Sequence, residues 1–248
     1  MAEDTYTVWD YIRSFLSMPF FFLLLLLATP VILLLLLLSL GKLNNFVIEK
    51  LAPILAKPTL AFLGVSFRVK KHTEEIASPA VYIINHSSTL DMLTLLAMGL
   101  PRVRFVAKWQ FQYNPLFFVL GRLTGQVFIR REHSEKAIRT LQKVVNRIQR
   151  QRLSLMMAPE GSRKHEGVIG PFKKGPFRMA MELGYPIVPI YFEGNRELSS
   201  GKFLVTKKGS CTAHVHSPID TSSWTSKNLE QQISEVRDLY LNWAGVEE

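Results

Sequence analysis

Cysteine is close to absent. The single one, Cys211, has no possible partner for an internal disulfide, which fits a reducing compartment for the folded domain. Acidic residues are also in short supply, 20 Asp and Glu against 30 Lys and Arg, for a net charge of +10. Such an excess calls for an anionic partner: nucleic acid, a membrane surface or a phosphorylated substrate. No basic motif with interleaved aromatics is found, so nucleic acid is not expected. Internal repeats and low-complexity linkers are missing, which excludes a repeat array. At 248 residues the natural expectation is one domain plus an appendage.

Charge is wholly missing from Pro19 to Leu40, PFFFLLLLLATPVILLLLLLSL. That run is long enough to cross a bilayer of about 30 Å at about 1.5 Å per residue. A secretory signal fits poorly, because the preceding MAEDTYTVWDYIRSF is acidic and the apolar run is too long. We therefore expect a retained anchor, kinked at Pro30. Residues 44–63 read as a second, amphipathic helix, lying at the interface or returning toward the surface. Lys42, Lys50 and Lys57 follow the span and Arg13 alone precedes it, so the positive-inside rule puts the rest of the chain on the cytoplasmic side. A crossing helix and a hairpin dipping into one leaflet both satisfy this pattern. The expected division is an anchor over 1–63 and a folded domain over 64–248.

Beyond the anchor, apolar strand patterns alternate with helical ones. Strands are expected at 64–70, 80–84, 103–108, 126–131, 153–158 and 185–192. Pro189 argues for an edge strand or a bulge in the last of these. Residues 203–206 and 210–217 read as a closing antiparallel pair. Helices are expected at 89–99, 132–152, 176–184 and 226–244, with short ones over 110–125 packed on the core. In 132–152, Ile138, Leu141, Val145 and Ile148 share one face and Arg139, Lys143, Arg147 and Arg150 another, which by default is a solvated stripe. In the final helix Leu229, Ile233, Val236, Leu239 and Trp243 are expected inward. The alternation predicts an α/β fold, a largely parallel sheet flanked by helices, with the N-terminal anchoring helix or hairpin added.

In such a sheet the ligand site lies beyond the carboxyl ends of the strands. His86 falls there, after VYII, and Asp91 follows five residues later in the first turn of a helix. A carboxylate in that place can fix the tautomer of the imidazole and free its other nitrogen to take a proton from a hydroxyl. A plainer reading exists: Ser88 and Asp91 also match a helix capping box. Arg130 and Arg131 end a second strand, and Glu160, Gly161 and Arg163 follow a third. Gly161 lets backbone N–H groups approach an oxyanion or phosphate, and Arg163 can grip phosphate with two prongs. Lys108, Lys173 and Lys174 offer further positive charge. His214 and His216 have the spacing of a metal pair but lack carboxylate or thiol companions, so no metal is expected.

Taken in order, NHSSTLD, GQVFIRR, PEGSR and PIVPI resemble the four blocks of the glycerolipid acyltransferase family, and most of all its 1-acyl-sn-glycerol-3-phosphate (lysophosphatidic acid) acyltransferases. The resemblance spans roughly residues 60–220. It implies acyl transfer from acyl-CoA or acyl-carrier protein to a lysophospholipid hydroxyl, giving phosphatidic acid at a membrane, with no cofactor. By that likeness His86 is the general base and Asp91 its orienting partner. Arg130 or Arg131 contacts the acceptor's phosphate, Glu160, Gly161 and Arg163 correspond to the acceptor-binding block, and Pro189 shapes the site, with Lys108 counted among the phosphate-binding cations for its charge. Ser162 stands for the commoner threonine, Ala158 for a bulky apolar residue, and Arg130 where many members carry aspartate. The same chemistry on glycerol 3-phosphate, another lysophospholipid or a lyso-ornithine lipid is the alternative, as is a non-catalytic basic membrane-binding module.

Overall fold

The computed structural model describes residues 6–130, 134–163, 167–199 and 205–246, the side chains of 134–138 excepted. In chain order these residues form α1 (Val8–Leu38), α2 (Asn44–Phe46), a π-helical turn (Val47–Leu51), α3 (Ala52–Phe62), β1 (Val65–Lys71), β2 (Val81–Ile84) and α4 (Leu90–Met98). Next come β3 (Val103–Lys108), a 3-10 turn (Trp109–Tyr113), α5 (Pro115–Leu123), β4 (Val127–Ile129), α6 (Ser134–Arg150) and β5 (Ser154–Met157). The chain then makes α7 (Gly175–Leu183), β6 (Ile187–Glu193), α8 (Asn195–Leu198), β7 (Gly209–Val215) and α9 (Leu229–Trp243). The strands hydrogen-bond in the order β1-β7-β6-β2-β5-β3-β4. The chain divides into two compact units.

One unit comprises Met1–Lys70, Ser87–Leu100 and Phe192–His214. Its α1 is 31 residues long and holds an 18-residue window with a mean hydropathy of 3.1, enough by length and composition to cross a membrane. Thr7 caps it: Asp10 N–H donates to the threonine hydroxyl, and Thr7 N–H donates back to the Asp10 carboxylate at 2.9 Å. Phe21, Leu25, Ile32 and Leu36 are buried at helical spacing, whereas Leu26, Leu27, Leu34 and Leu37 are exposed. The Phe20 and Phe62 rings stack 4.8 Å apart. The two are equally far from Gly41 in the chain, so α1 and the helical run 44–62 form an antiparallel hairpin. The inner face of α3, Ala56 and Leu60, joins Leu90, Ala97, Leu198 and Cys211 in a core.

The other unit comprises Lys71–His86, Pro101–Tyr191 and Val215–Glu248. Its strands are parallel throughout: β2 pairs with β5 and β6, and β3 with β5 and β4. β2 and β5 are buried along their whole length, as expected of strands covered on both faces. Leu141, Val145 and Ile148 of α6, Phe177 of α7 and Tyr240 of α9 close over them. The hydrophobic stripe of α9 differs from expectation by one position, with Tyr240 fully buried and Leu239 exposed.

Pro189 is neither on an edge strand nor in a bulge. β6 lies between β7 and β2, and Val188, Pro189 and Ile190 pair in regular register with Tyr82, Ile83 and Ile84. A proline there leaves the ladder one donor short. Pro189 turns its carbonyl away from β2, to His216 N–H at 3.0 Å, and beside it the Tyr240 hydroxyl bridges β6 and β2: it accepts from Ile190 N–H at 3.1 Å and donates to the Ile83 carbonyl at 2.8 Å. Burial above all pushes that phenol well above its ordinary range, so it remains a donor. The expected strand 203–206 is also revised. Residues 203 and 204 lie outside the described set, Val205 and Thr206 are not in a strand, and the neighbours of β7 are β1 and β6.

Candidate active site

Parallel pairing places the carboxyl ends of β2, β5, β3 and β4 along one edge. His86 lies just past β2, the PEGSR turn follows β5, Lys108 ends β3, and Arg130 follows β4. Neighbouring strands are about 4.8 Å apart. PEGSR is therefore on the strand next to His86, while Lys108 and Arg130 sit about 10 and 14 Å along the edge at strand level. The Arg130 guanidinium lies 4.9 Å from the centre of the Trp109 ring, a cation–π stack. Arg131 lies outside the described residues.

Glu160 is buried, 5% exposed. One carboxylate oxygen accepts the His86 main-chain N–H at 2.7 Å, and the other accepts Gly170 N–H at 2.9 Å. This carboxylate braces the backbone that carries the imidazole. Its negative charge suits two N–H donors and would repel a phosphate. Gly161 sits at φ +69°, and a Cβ there would come 3.0 Å from Lys173 Nζ. The glycine is thus needed twice, for its left-handed backbone and for the lysine lying across it. Lys173 N–H donates to the Pro159 carbonyl at 2.8 Å, which ties that lysine to the PEGSR turn. Lys174 turns away to an ion pair with Glu230. Arg163 is exposed on the same turn. One cation from the loop therefore joins PEGSR, and its sequence neighbour does not.

Asp91 belongs to the other unit and is fully buried in the first turn of α4. Its Oδ2 accepts Ser88 N–H at 3.1 Å, the acid half of the capping pattern, while the Ser88 hydroxyl accepts Leu90 N–H at 3.1 Å and Thr89, at the cap, makes no side-chain cap bond. Its Oδ1 accepts Asn195 Nδ2 at 2.9 Å, and the same amide reaches the Thr94 hydroxyl at 3.2 Å. Asn195, itself fully buried, went unnoticed in the sequence. The available signal was a polar side chain just past the end of a strand. Cys211 lies in this core; burial, and then the charge of Asp91, pushes its thiol from 9.0 up to about 12. His214 shares a hydrogen bond with Glu193 at 2.8 Å, and His216 stacks on Trp243. Among the described residues no three His, Cys, Asp or Glu side chains gather as metal ligands.

A histidine at the carboxyl edge of a parallel sheet, its backbone braced by the glutamate of a neighbouring PEGSR turn, defines the class. The acyltransferase family pattern matches residues 66–216, and the chain belongs to that family. It is 32% identical over 178 residues to the 1-acyl-sn-glycerol-3-phosphate acyltransferase of Haemophilus influenzae, covering 71% of this chain and 72% of that one. The Saccharomyces cerevisiae protein of the same name is 31% identical over 178 residues, 71% of this chain and 59% of its own longer length. The crystal structure of the 1-acyl-sn-glycerophosphate (LPA) acyltransferase PlsC from Thermotoga maritima superposes with a TM-score of 0.77 over 96% of this chain and 99% of that one. At 19% identity that likeness speaks for the fold alone.

Proposed function

We propose that this enzyme transfers a fatty acyl group from an acyl thioester to the free sn-2 hydroxyl of 1-acyl-sn-glycerol-3-phosphate, giving phosphatidic acid. The observation that carries the reading is the placement of His86 one strand from PEGSR, in a chain of this family. His86 takes the proton of the acceptor hydroxyl as its oxygen attacks the thioester carbonyl. The tetrahedral oxyanion collapses, the C–S bond breaks, and the proton passes from the imidazolium to the departing thiolate. Atoms and charge balance among acceptor, thioester and imidazole. General-base help of this kind contributes roughly 10²–10⁴-fold. The pairing of His86 with Asp91 rests on their five-residue spacing in the chain. Arg163 and Lys173 are the cations we assign to the acceptor's phosphate, with Lys108, Arg130 and Arg131 as further contributors along the edge.

Acyl-CoA and acyl-carrier protein both present the thioester that the step requires. The antiparallel hairpin of α1 and α3 favours an anchor that enters and leaves the membrane on one side, with the positive-inside rule placing that side in the cytoplasm. Acceptor chains gain about 0.8 kcal/mol per CH₂ by staying in lipid, so anchoring serves the reaction. The test is thiol release from acyl-CoA on addition of lysophosphatidate, glycerol 3-phosphate, a neutral lysophospholipid or a lyso-ornithine lipid. Lysophosphatidate is expected to give the highest kcat/KM. Release with none of them would remove the assignment in favour of a lipid-binding module. Arg163→Ala should raise the acceptor KM more than the donor KM; equal changes would take away its phosphate role.

A further inference from the structure

Helix α5 is apolar on its outer face as well as on the inner one, where Phe117 and Leu120 are half-buried. Its exposed positions are 115, 118, 119, 122 and 123, one continuous helical stripe, occupied by Pro, Phe, Val, Arg and Leu. The face it buries carries Gly121 and Thr124. Gly121 meets the Phe128 ring so closely that a Cβ would come within 2.5 Å of it. Phe118 is 45% exposed, Val119 39%, Leu123 39%, and Tyr113 just before the helix 77%. These are four of the six large apolar side chains exposed in the described part of their unit, the others being Val168 and Leu239. On α6 the outward positions are Arg139, Gln142, Lys143, Asn146, Gln149 and Arg150, the ordinary solvated face.

In the stretch of sequence that contains the stripe, charge has one sign. From Met92 to Arg131 the chain holds no acidic residue, while Arg102, Arg104, Lys108, Arg122, Arg130 and Arg131 are basic. The Arg122 guanidinium lies 5.6 Å from the centre of the Phe118 ring and donates to Gln112 Oε1 at 2.9 Å, its stem running along the apolar surface. We propose that the outward face of α5 is a second lipid-docking surface, in addition to the N-terminal hairpin. It inserts Tyr113, Phe118, Val119 and Leu123 at the acyl boundary of an anionic leaflet and leaves Arg122 among the headgroups. Aromatic and aliphatic side chains interleaved with arginine on one convex helix are what an interface between headgroups and acyl chains accepts. The proposal stands on this stripe and does not depend on which acceptor is acylated.

Val119→Cys and Leu123→Cys, made singly in the full chain and labelled with the environment-sensitive dye NBD, test it. Cys211 is buried, so the unsubstituted chain is the unlabelled blank. Glu235→Cys, on the exposed face of α9, is the aqueous reference. In vesicles of equal parts phosphatidylcholine and phosphatidylglycerol, the dye at 119 and 123 should shift to the blue. Lipids with a nitroxide on the acyl chain should quench it severalfold more than the dye at 235. Quenching at 119 and 123 as weak as at 235 overturns the proposal. So does a blue shift that arises only when acyl-carrier protein or unlabelled second copies are added, which would assign the face to that protein instead. Acyl transfer by the same proteins in detergent micelles should match the parent, so loss of the lipid contact and loss of the proposed reaction read out separately.

Discussion

His86 and Asp91 are five residues apart and are held by different means. His86 is held through its main chain, by a glutamate 74 residues away. Asp91 is held through its carboxylate, by an asparagine 104 residues away and by the start of its own helix. The first arrangement fixes where the imidazole is attached. The second fixes how a buried charge is oriented and satisfied, since a buried carboxylate without donors is costly.

The largest expected effect is on the base. His86→Ala should lower kcat by roughly 10²–10⁴-fold while thermal unfolding and vesicle binding stay at parent values. Near-normal turnover would end the assignment. Glu160→Ala comes next, because it leaves two buried main-chain donors unpaired at about 1–3 kcal/mol each. Both Tm and kcat should fall, and Glu160→Gln, with one acceptor oxygen kept, should fall between. A Glu160→Ala protein with the parent's Tm and kcat would break the comparison on the His86 side. Asn195→Ala should cost less, about 1–3 kcal/mol, through the donor lost to Asp91. Asn195→Asp should be worse than Asn195→Ala, since it sets two carboxylates face to face; the opposite order would break the comparison on the Asp91 side.

The smallest effect sharpens the picture of the core around Asp91. Between about pH 9.0 and 12 the unfolded Cys211 thiol loses its proton while the folded one keeps it. The unfolded state then binds fewer protons, so stability falls as pH rises through this window. Cys211→Ala should show a shallower alkaline decline in Tm than the parent. Identical slopes would mean that the thiol is not held protonated.

Much of this molecule is legible in its sequence because the signals are local. A short apolar run followed by a polar turn located β2 and His86, and MMAPEGSR located β5 and its turn. The alternation of strands with the 3.6-residue stripe of α6 predicted a parallel sheet and hence one shared edge. Where the reading missed, the cause was a partner distant in sequence. Pro189 argued for an edge because its missing donor is visible locally, whereas the strands that flank it on both sides are not. The two backbone partners of Glu160 likewise cannot be inferred from PEGSR. The apolar 110–125 segment suggested core packing, yet Tyr113 and three large apolar side chains of α5 are turned outward.

By itself, then, the sequence determined the composition of the active edge. Strand periodicity, turn residues and the order of four short blocks decide which side chains follow which strand ends, and those are properties of neighbours in the chain. Only the tertiary structure decided what each of those side chains touches. It put Glu160 under the backbone of His86, Asn195 on Asp91, Lys173 across Gly161 and Arg130 over Trp109. The physical reason is that burial and hydrogen-bond satisfaction are settled by groups brought together from far along the chain, and local pattern carries no record of them.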